Sequence, residues 1–128
     1  MTDRPPIDSE DNGFWTSLDE LVSASTITID RPKGTAHPRH PDLVYPLDYG
    51  YLENTQADDG NEIDVWRVSL PGDCVTAIVC AVDGLKRDAE VKLLIGCTPE
   101  EARVILATHN TGPQSAFLIE RPTDTEGY

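Results

Sequence analysis

Tyr45 to Val65 reads YPLDYGYLENTQADDGNEIDV, and its reading decides both the fold and the chemistry to look for. Tyr49–Leu52 and Glu62–Leu70 carry the aromatic and β-branched residues of strands. Between them Asp58-Asp59-Gly60 signals a turn, because short acidic side chains bond the local backbone and glycine accepts positive φ. The unit therefore gathers Asp59, Asn61 and Asp64 shortly after Tyr45 and Tyr49. Closely spaced acidic side chains at a turn can converge their oxygens on a hard divalent cation such as Mg²⁺. Tyrosine hydroxyls can hydrogen-bond a metal-bound phosphate. In an extended segment the even spacing of Tyr45 and Tyr49 puts them on one side, so one or both face the site, with Tyr51 as packing. A blander reading stands beside this: the same acidic residues suit any tight turn, and all three tyrosines suit a core.

Outward from this unit the chain reads as short strands with a helix at either end. Phe14, Trp15, Leu18, Leu21 and Val22 recur with helical periodicity, with Asn12 as the candidate N-cap. Ser25–Arg31 alternates Thr and Ile as a strand does and stops at Pro32 and Gly34. The prolines of Ala36–Asp42 make that segment a loop. Cys74–Val82 is apolar almost throughout, as a strand buried on both faces would be, and Glu90–Ile95 is a further strand. Thr98-Pro99-Glu100-Glu101 combines an N-cap, Pro at N1 and a capping-box Glu. The helix it opens ends before Gly112-Pro113, and Ser115–Glu120 is a last strand. Many short strands around one core with flanking helices imply an α+β, mainly β fold, a small OB-like closed or partly open β-barrel. Residues 1–12 are expected to be a mobile arm, 13–120 the single domain and 121–128 a mobile tail.

At 128 residues and 14.1 kDa the chain has room for one hydrophobic core. A net charge of -13 opposes nucleic acid and anionic membrane surfaces as partners, which also disfavours an OB-type nucleic-acid module. A phosphate site must be locally positive within that negative field, and Lys33, Arg39 and Lys92 with a bound cation would make it so. Three cysteines without a C-x-x-C pair indicate neither zinc nor a disulfide framework and are expected as buried small hydrophobes. No apolar run reaches the roughly 18 residues of a membrane span. The polar start is not a signal peptide, so the expected location is cytoplasmic. His37 and His40 are close enough in sequence for a transition metal, although proximity alone is weak evidence. Lys86, Arg87 and Asp88 read as an exposed turn.

The order YPxDYGY, a Thr, then DG-x-E-I-D-V resembles the soluble inorganic pyrophosphatases of family I, whose core runs roughly YPxNYGF, T, DGDPLDV. Ile29-Asp30-Arg31-Pro32-Lys33-Gly34 is similar to the family's E-I-P-K-G, and Glu90-Val91-Lys92 to its D-x-K. The resemblance covers about residues 27 to 95. It implies an OB-like barrel, Mg²⁺ or Mn²⁺ as cofactor, a small phosphate substrate and a possible homo-oligomer. It assigns metal to Asp59, Asp64, Glu90 and one of Asp83 or Asp88, and phosphate oxygens to Lys33, Arg39, Tyr45, Tyr49 and Lys92. The middle family aspartate, which takes the proton of the attacking water, is Asn61 here, and an amide is no base near neutral pH. Asp30 or Asp58 is left as a substitute acceptor. His37-Pro38-Arg39-His40-Pro41 replaces the family's K-Y-E, with Arg39 as stand-in for the lysine and nothing for the glutamate. His109-Asn110 stands where the family has Tyr-Lys.

The expected function is divalent-metal-dependent hydrolysis of pyrophosphate by an activated water, with Asp59, Asn61, Asp64 and Tyr45 at the catalytic centre. The alternative is a non-catalytic or repurposed relative that binds a phosphorylated metabolite or a protein partner, which Asn61 and the lost Tyr-Lys pair favour.

Overall fold

A computed structural model describes the backbone of residues 7–122 and side chains from residue 13 onward. The outer parts of the expected arm and tail, 1–6 and 123–128, lie outside the described residues. The elements in order are α1 (Ile7–Ser23), β1 (Ile27–Arg31), β2 (Asp48–Leu52), β3 (Ile63–Arg67), β4 (Val75–Asp83), β5 (Asp88–Ile95), α2 (Pro99–Thr108) and β6 (Gln114–Glu120). Helix α1 starts well before Asn12, which is therefore inside the helix and not its cap. The apolar stripe that reveals periodicity begins only at Phe14, and the polar residues ahead of it carry no such signal. Trp15 and Val22 are buried, Leu18 and Leu21 pack partly, and Phe14 turns outward.

The six strands form one sheet in the order β1-β2-β3-β5-β4-β6, antiparallel everywhere except the parallel β3–β5 pair. β1 and β6 are unjoined edges, so the barrel is partly open. Period-two alternation sorts the side chains into two faces. One buries Val65, Ile78, Leu93 and Ile95 against α1. The other buries Trp66, Val79, Ala81 and Leu94 against Ala102 and Ile105 of α2. Helix α2 begins as its sequence implies: Thr98 Oγ1 accepts from Glu101 N at 3.2 Å, and Glu101 Oε1 accepts from Thr98 N at 2.9 Å.

Two contacts lock the layers. Asp19 on α1 accepts from the Val75 N–H at 2.9 Å and pairs with Arg121 just past β6. Gly50 lets β2 press against β1, since a Cβ there would sit 1.8 Å from Thr28 O. Of the three cysteines only Cys97 is buried, its thiol pushed up to about 12 by desolvation. Cys80 is partly buried. Cys74 is exposed because it lies in the turn ahead of β4 and not inside the strand.

Candidate active site

The face that carries the α2 core continues, beyond Trp66, into an open cleft of about 670 Å³. Register places its lining. Tyr49 lies opposite Trp66 and Tyr51 opposite Asp64 across β2–β3, while Lys92 and Glu90 on β5 face Val79 and Ala81 on β4. Alternation along each strand therefore aims Tyr49, Asp64, Lys92 and Glu90 into one space. Tyr51 lines this cleft as well, which corrects the expectation that it is core packing: it shares the β2 face of Tyr49.

Lys92 is the hub. Its buried ammonium lies 2.8 Å from Asp64 Oδ2, 2.8 Å from Glu90 Oε1 and 3.0 Å from the Tyr49 hydroxyl. Tyr49 in turn donates to Asp64 Oδ2 at 2.7 Å. The three donors of the ammonium are thus all committed. Burial alone would disfavour its charge, but Tyr49, Asp64 and Glu90 outweigh that and hold Lys92 above the usual lysine range. Burial also pushes the Tyr49 phenol up, so this hydroxyl keeps its proton.

The opposite end of the cleft is basic. Arg31 donates to the Tyr45 hydroxyl at 2.5 Å, and His37, Arg39, His40 and Lys86 gather beside it. Among the described residues neither Arg31 nor Arg39 pairs with a carboxylate. The His-Pro-Arg-His-Pro segment is a loop, as expected, and an ordered one. His37 N bonds Leu43 O at 2.8 Å, Leu43 N bonds His40 O at 2.9 Å, and Tyr45 N bonds Thr35 O at 2.9 Å. The Arg39 N–H donates to His37 Nδ1 at 3.0 Å, which places the neutral ring's proton on Nε2. Burial, with Arg31, His40, Arg39 and Lys86 around it, lowers the His37 pKa.

Between the two ends runs an aromatic floor. Ring centroids are 5.2 Å apart for Tyr45–Tyr49, 4.8 Å for Tyr49–Trp66 and 5.7 Å for Trp66–His109. His109, in the position matched to the family's Tyr-Lys pair, is buried and accepts from Trp66 Nε1. Asn110 bonds Leu106 O and the Ala116 backbone, serving the turn into β6.

Of the sequence candidates, Tyr45, Tyr49, Asn61, Asp64, Asp83, Glu90, Lys92 and Arg39 line the cleft, with Asp30 and Asp88. Lys33 does not; it is exposed, and its backbone N–H donates to Asp48 Oδ1 at 2.8 Å. Asp58 is not among the lining residues either. Asp59 is fully exposed and folds back on its own turn, accepting from Asn61 N at 3.0 Å, which lowers its pKa. Asp83 caps the β4–β5 turn through Leu85 N and Lys86 N, both at 3.0 Å. Sequence reasoning missed Arg31, Trp66 and Lys86 as cleft residues. Arg31 alone left a trace, as a charge at the end of an alternating strand.

The donors suit a hard cation. Asp59, Asp64 and Glu90 offer only carboxylate oxygens, and Asp64 and Glu90 both lie 2.8 Å from the Lys92 ammonium. Among the described residues no three His, Cys, Asp or Glu side chains surround a common point, because the Lys92 ammonium sits where Asp64 and Glu90 would meet.

The partly open, mainly β barrel is similar in fold to the inorganic pyrophosphatases. The solved structures similar to this chain include an inorganic pyrophosphatase from Neisseria gonorrhoeae, at 15% identity and a TM-score of 0.54 over 73% of this chain and 80% of that one. Another is the enzyme from Helicobacter pylori, at 14% identity and a TM-score of 0.55 over 76% and 85%. A third, described as an inorganic phosphatase from Anaplasma phagocytophilum, has 13% identity and a TM-score of 0.51 over 73% and 82%. At such identities the likeness is one of fold. No family model matches the sequence, and no curated protein does.

Proposed function

We propose that the chain hydrolyses inorganic pyrophosphate, or binds it as a descendant of enzymes that do, in the cleft between the Lys92 cluster and the Arg31–Arg39 wall. The observation that supports this is a carboxylate cluster at one end of the cleft and, at the other, Arg31 and Arg39, which have no carboxylate partner among the described residues, in a chain of net charge -13. Arg31 and Arg39 present planar forks to phosphate oxygens, and the Tyr45 hydroxyl, which accepts from Arg31, keeps its own proton to donate; the donors of Lys92 and Tyr49 stay within their own cluster. In the reaction a water oxygen bonds one phosphorus, the bridging P–O bond breaks, and two phosphates leave. A Mg²⁺ or Mn²⁺ held by Asp59, Asp64 and Glu90 would shield phosphate charge and lower the pKa of a water.

This chain's own residues decide who takes the proton. Asn61 cannot; of the two substitute acceptors the sequence offers, Asp30 lines the cleft and Asp58 does not, so Asp30 takes that role. Losing a well-placed base costs about 10²- to 10⁴-fold, roughly 3–5 kcal/mol. Total accelerations of phosphate hydrolysis are far larger, so a weakened enzyme is consistent with Asn61.

The Lys92 ammonium favours a second reading. By occupying both Asp64 and Glu90 it neutralises the carboxylates a cation would use, as a pure phosphate binder would need. Phosphate release from pyrophosphate, measured with Mg²⁺, with Mn²⁺ and with chelator beside Asp64→Ala, separates the two. Metal-dependent turnover lost in the variant establishes the hydrolase. Silence under every metal, with pyrophosphate still raising the unfolding temperature, establishes the binder.

A further inference from the structure

The His-Pro-Arg-His-Pro loop has no task in the function proposed above beyond supplying Arg39, yet its own backbone hydrogen bonds hold it at the cleft mouth. His37 and His40 place their ring centroids 4.9 Å apart, and His37 stacks toward Tyr45 at 6.2 Å with planes only 12° from parallel. Neither histidine belongs to the core: both lie outside the two buried clusters, His37 half-buried and His40 exposed. Pro38 and Pro41 restrict the backbone on either side of Arg39 and His40. The loop's own hydrogen bonds fix the rest. The result is a pre-set cluster of rings, with His40 tilted 42° to His37, in the loop that carries Arg39, a residue with no ion-pair partner among the described residues.

The cleft is also larger than its small substrate needs. About 670 Å³ lies within the roughly 300–1,000 Å³ of clefts that enclose drug-sized ligands. Inorganic pyrophosphate gripped by Arg31 and Arg39 would leave much of that space, including the ring cluster, untouched. A diphosphate held by these arginines brings whatever it carries against the rings that adjoin Arg39 in the loop. Flat heterocycles stack on histidine and on guanidinium planes with little regard to sequence-specific hydrogen bonds.

We propose that the cleft takes a nucleoside diphosphate, with the diphosphate on Arg31 and Arg39 and the base stacked on the His37–His40 rings. This rests on the phosphate-binding reading of the cleft and deepens it by naming the substrate class. Where turnover occurs, a water oxygen bonds the terminal phosphorus and the bridging P–O bond breaks, giving a nucleoside monophosphate and phosphate. The rings act by binding and orientation alone. His37 also holds the loop through the Arg39 N–H, so His40 is the residue to vary.

The test is calorimetric titration of the full chain, at one fixed Mg²⁺ concentration, with ADP, methyl diphosphate and inorganic pyrophosphate. The wild type is compared with His40→Ala and His40→Phe. We expect ADP to bind about tenfold more tightly than methyl diphosphate, which has the same charged group and no base. His40→Ala removes that advantage and leaves pyrophosphate binding within about twofold, and His40→Phe, which keeps a ring, restores it. Pyrophosphate binding with equal affinities for ADP and methyl diphosphate overturns this proposal and leaves the phosphate reading standing. An ADP advantage that His40→Ala does not touch overturns the assignment of the base to these rings. No binding of any of the three overturns both.

Discussion

The indole N–H of Trp66 donates to Nε2 of His109 at 3.1 Å, and both side chains are buried. Since Nε2 accepts, the neutral ring carries its proton on Nδ1, where Gln114 Oε1 waits at 3.1 Å. Protonation of Nε2 would break the Trp66 bond and put a charge under the aromatic floor. Burial accordingly lowers the His109 pKa. A histidine neutral in the native state and protonatable in the unfolded one adds stability above the lowered native pKa that is lost as pH falls. The loss begins near the unfolded value of about 6.5 and continues until the native ring also protonates. Urea unfolding at pH 7.5 and 5.5 should therefore show wild type losing more stability than His109→Gln, by up to about 1.4 kcal/mol per pH unit. His37, also lowered, acts in the same direction in both proteins and cancels. Equal losses would show that His109 does not titrate in this window.

Lys92 and a divalent cation compete for the same oxygens of Asp64 and Glu90. Lys92→Met removes the ammonium and leaves two partly exposed carboxylates without their shared partner. In chelator the variant should be less stable by about 1–3 kcal/mol, the cost of leaving polar groups unmatched, eased by the carboxylates' contact with water. Mg²⁺ should then stabilise the variant more than the wild type, because the oxygens are free to hold it. Thermal unfolding with Mg²⁺ and with chelator checks this. The same small Mg²⁺ increment in both proteins would remove Asp64 and Glu90 from any cation site.

What the sequence reveals follows the range of the interaction that signals it. The capping box of α2 and the β4 run are local: Thr98 and Glu101 fall where their pattern places them, and the run read as Cys74–Val82 forms β4 one residue later, at Val75–Asp83. The cleft's Tyr49, Asp64 and Lys92 were legible because two-residue alternation and a family pattern both mark them. Arg31, Trp66 and the depth of His109 were not, because each owes its place to pairings far apart in sequence. The parallel β3–β5 neighbours bring Trp66 beside Leu94, and His109 arrives from the end of α2. Asp59 is marked by a different local signal: the turn that makes it conspicuous also engages one of its oxygens.

Gly50 should tolerate no side chain. An added Cβ meets backbone at 1.8 Å from Thr28 O and 2.8 Å from Ile29 Cα, so β1 and β2 must separate. Gly50→Ala should lower stability by more than about 3 kcal/mol, at the severe end of single substitutions. Gly84→Ala, in open space, should change it by less than about 0.5 kcal/mol. Denaturant midpoints of the two variants measure the contrast, and a mild Gly50→Ala would mean that the strands are not packed this closely.

Asn61→Asp restores a carboxylate to the cleft. Asn61 reaches Asp59 with both its backbone and its side-chain nitrogen, the latter 3.4 Å from Oδ2. Replacing that amide with a carboxylate turns a weak attraction into a repulsion between residues 59 and 61. In chelator the variant should be less stable near neutral pH, and the cost should shrink as the carboxylates protonate toward pH 4. Mg²⁺ relieves the repulsion, so cation affinity should rise. With a base again in place, pyrophosphate turnover should increase at least about tenfold, the low end of what general-base catalysis contributes being about 10². The measurement is initial phosphate release across a Mg²⁺ series for wild type and variant, beside unfolding in chelator. Tighter Mg²⁺ binding without faster turnover would place the limiting defect elsewhere in the cleft, at the Lys92 ammonium or the missing Tyr-Lys pair. No change in either would sink the idea that Asn61 limits this site.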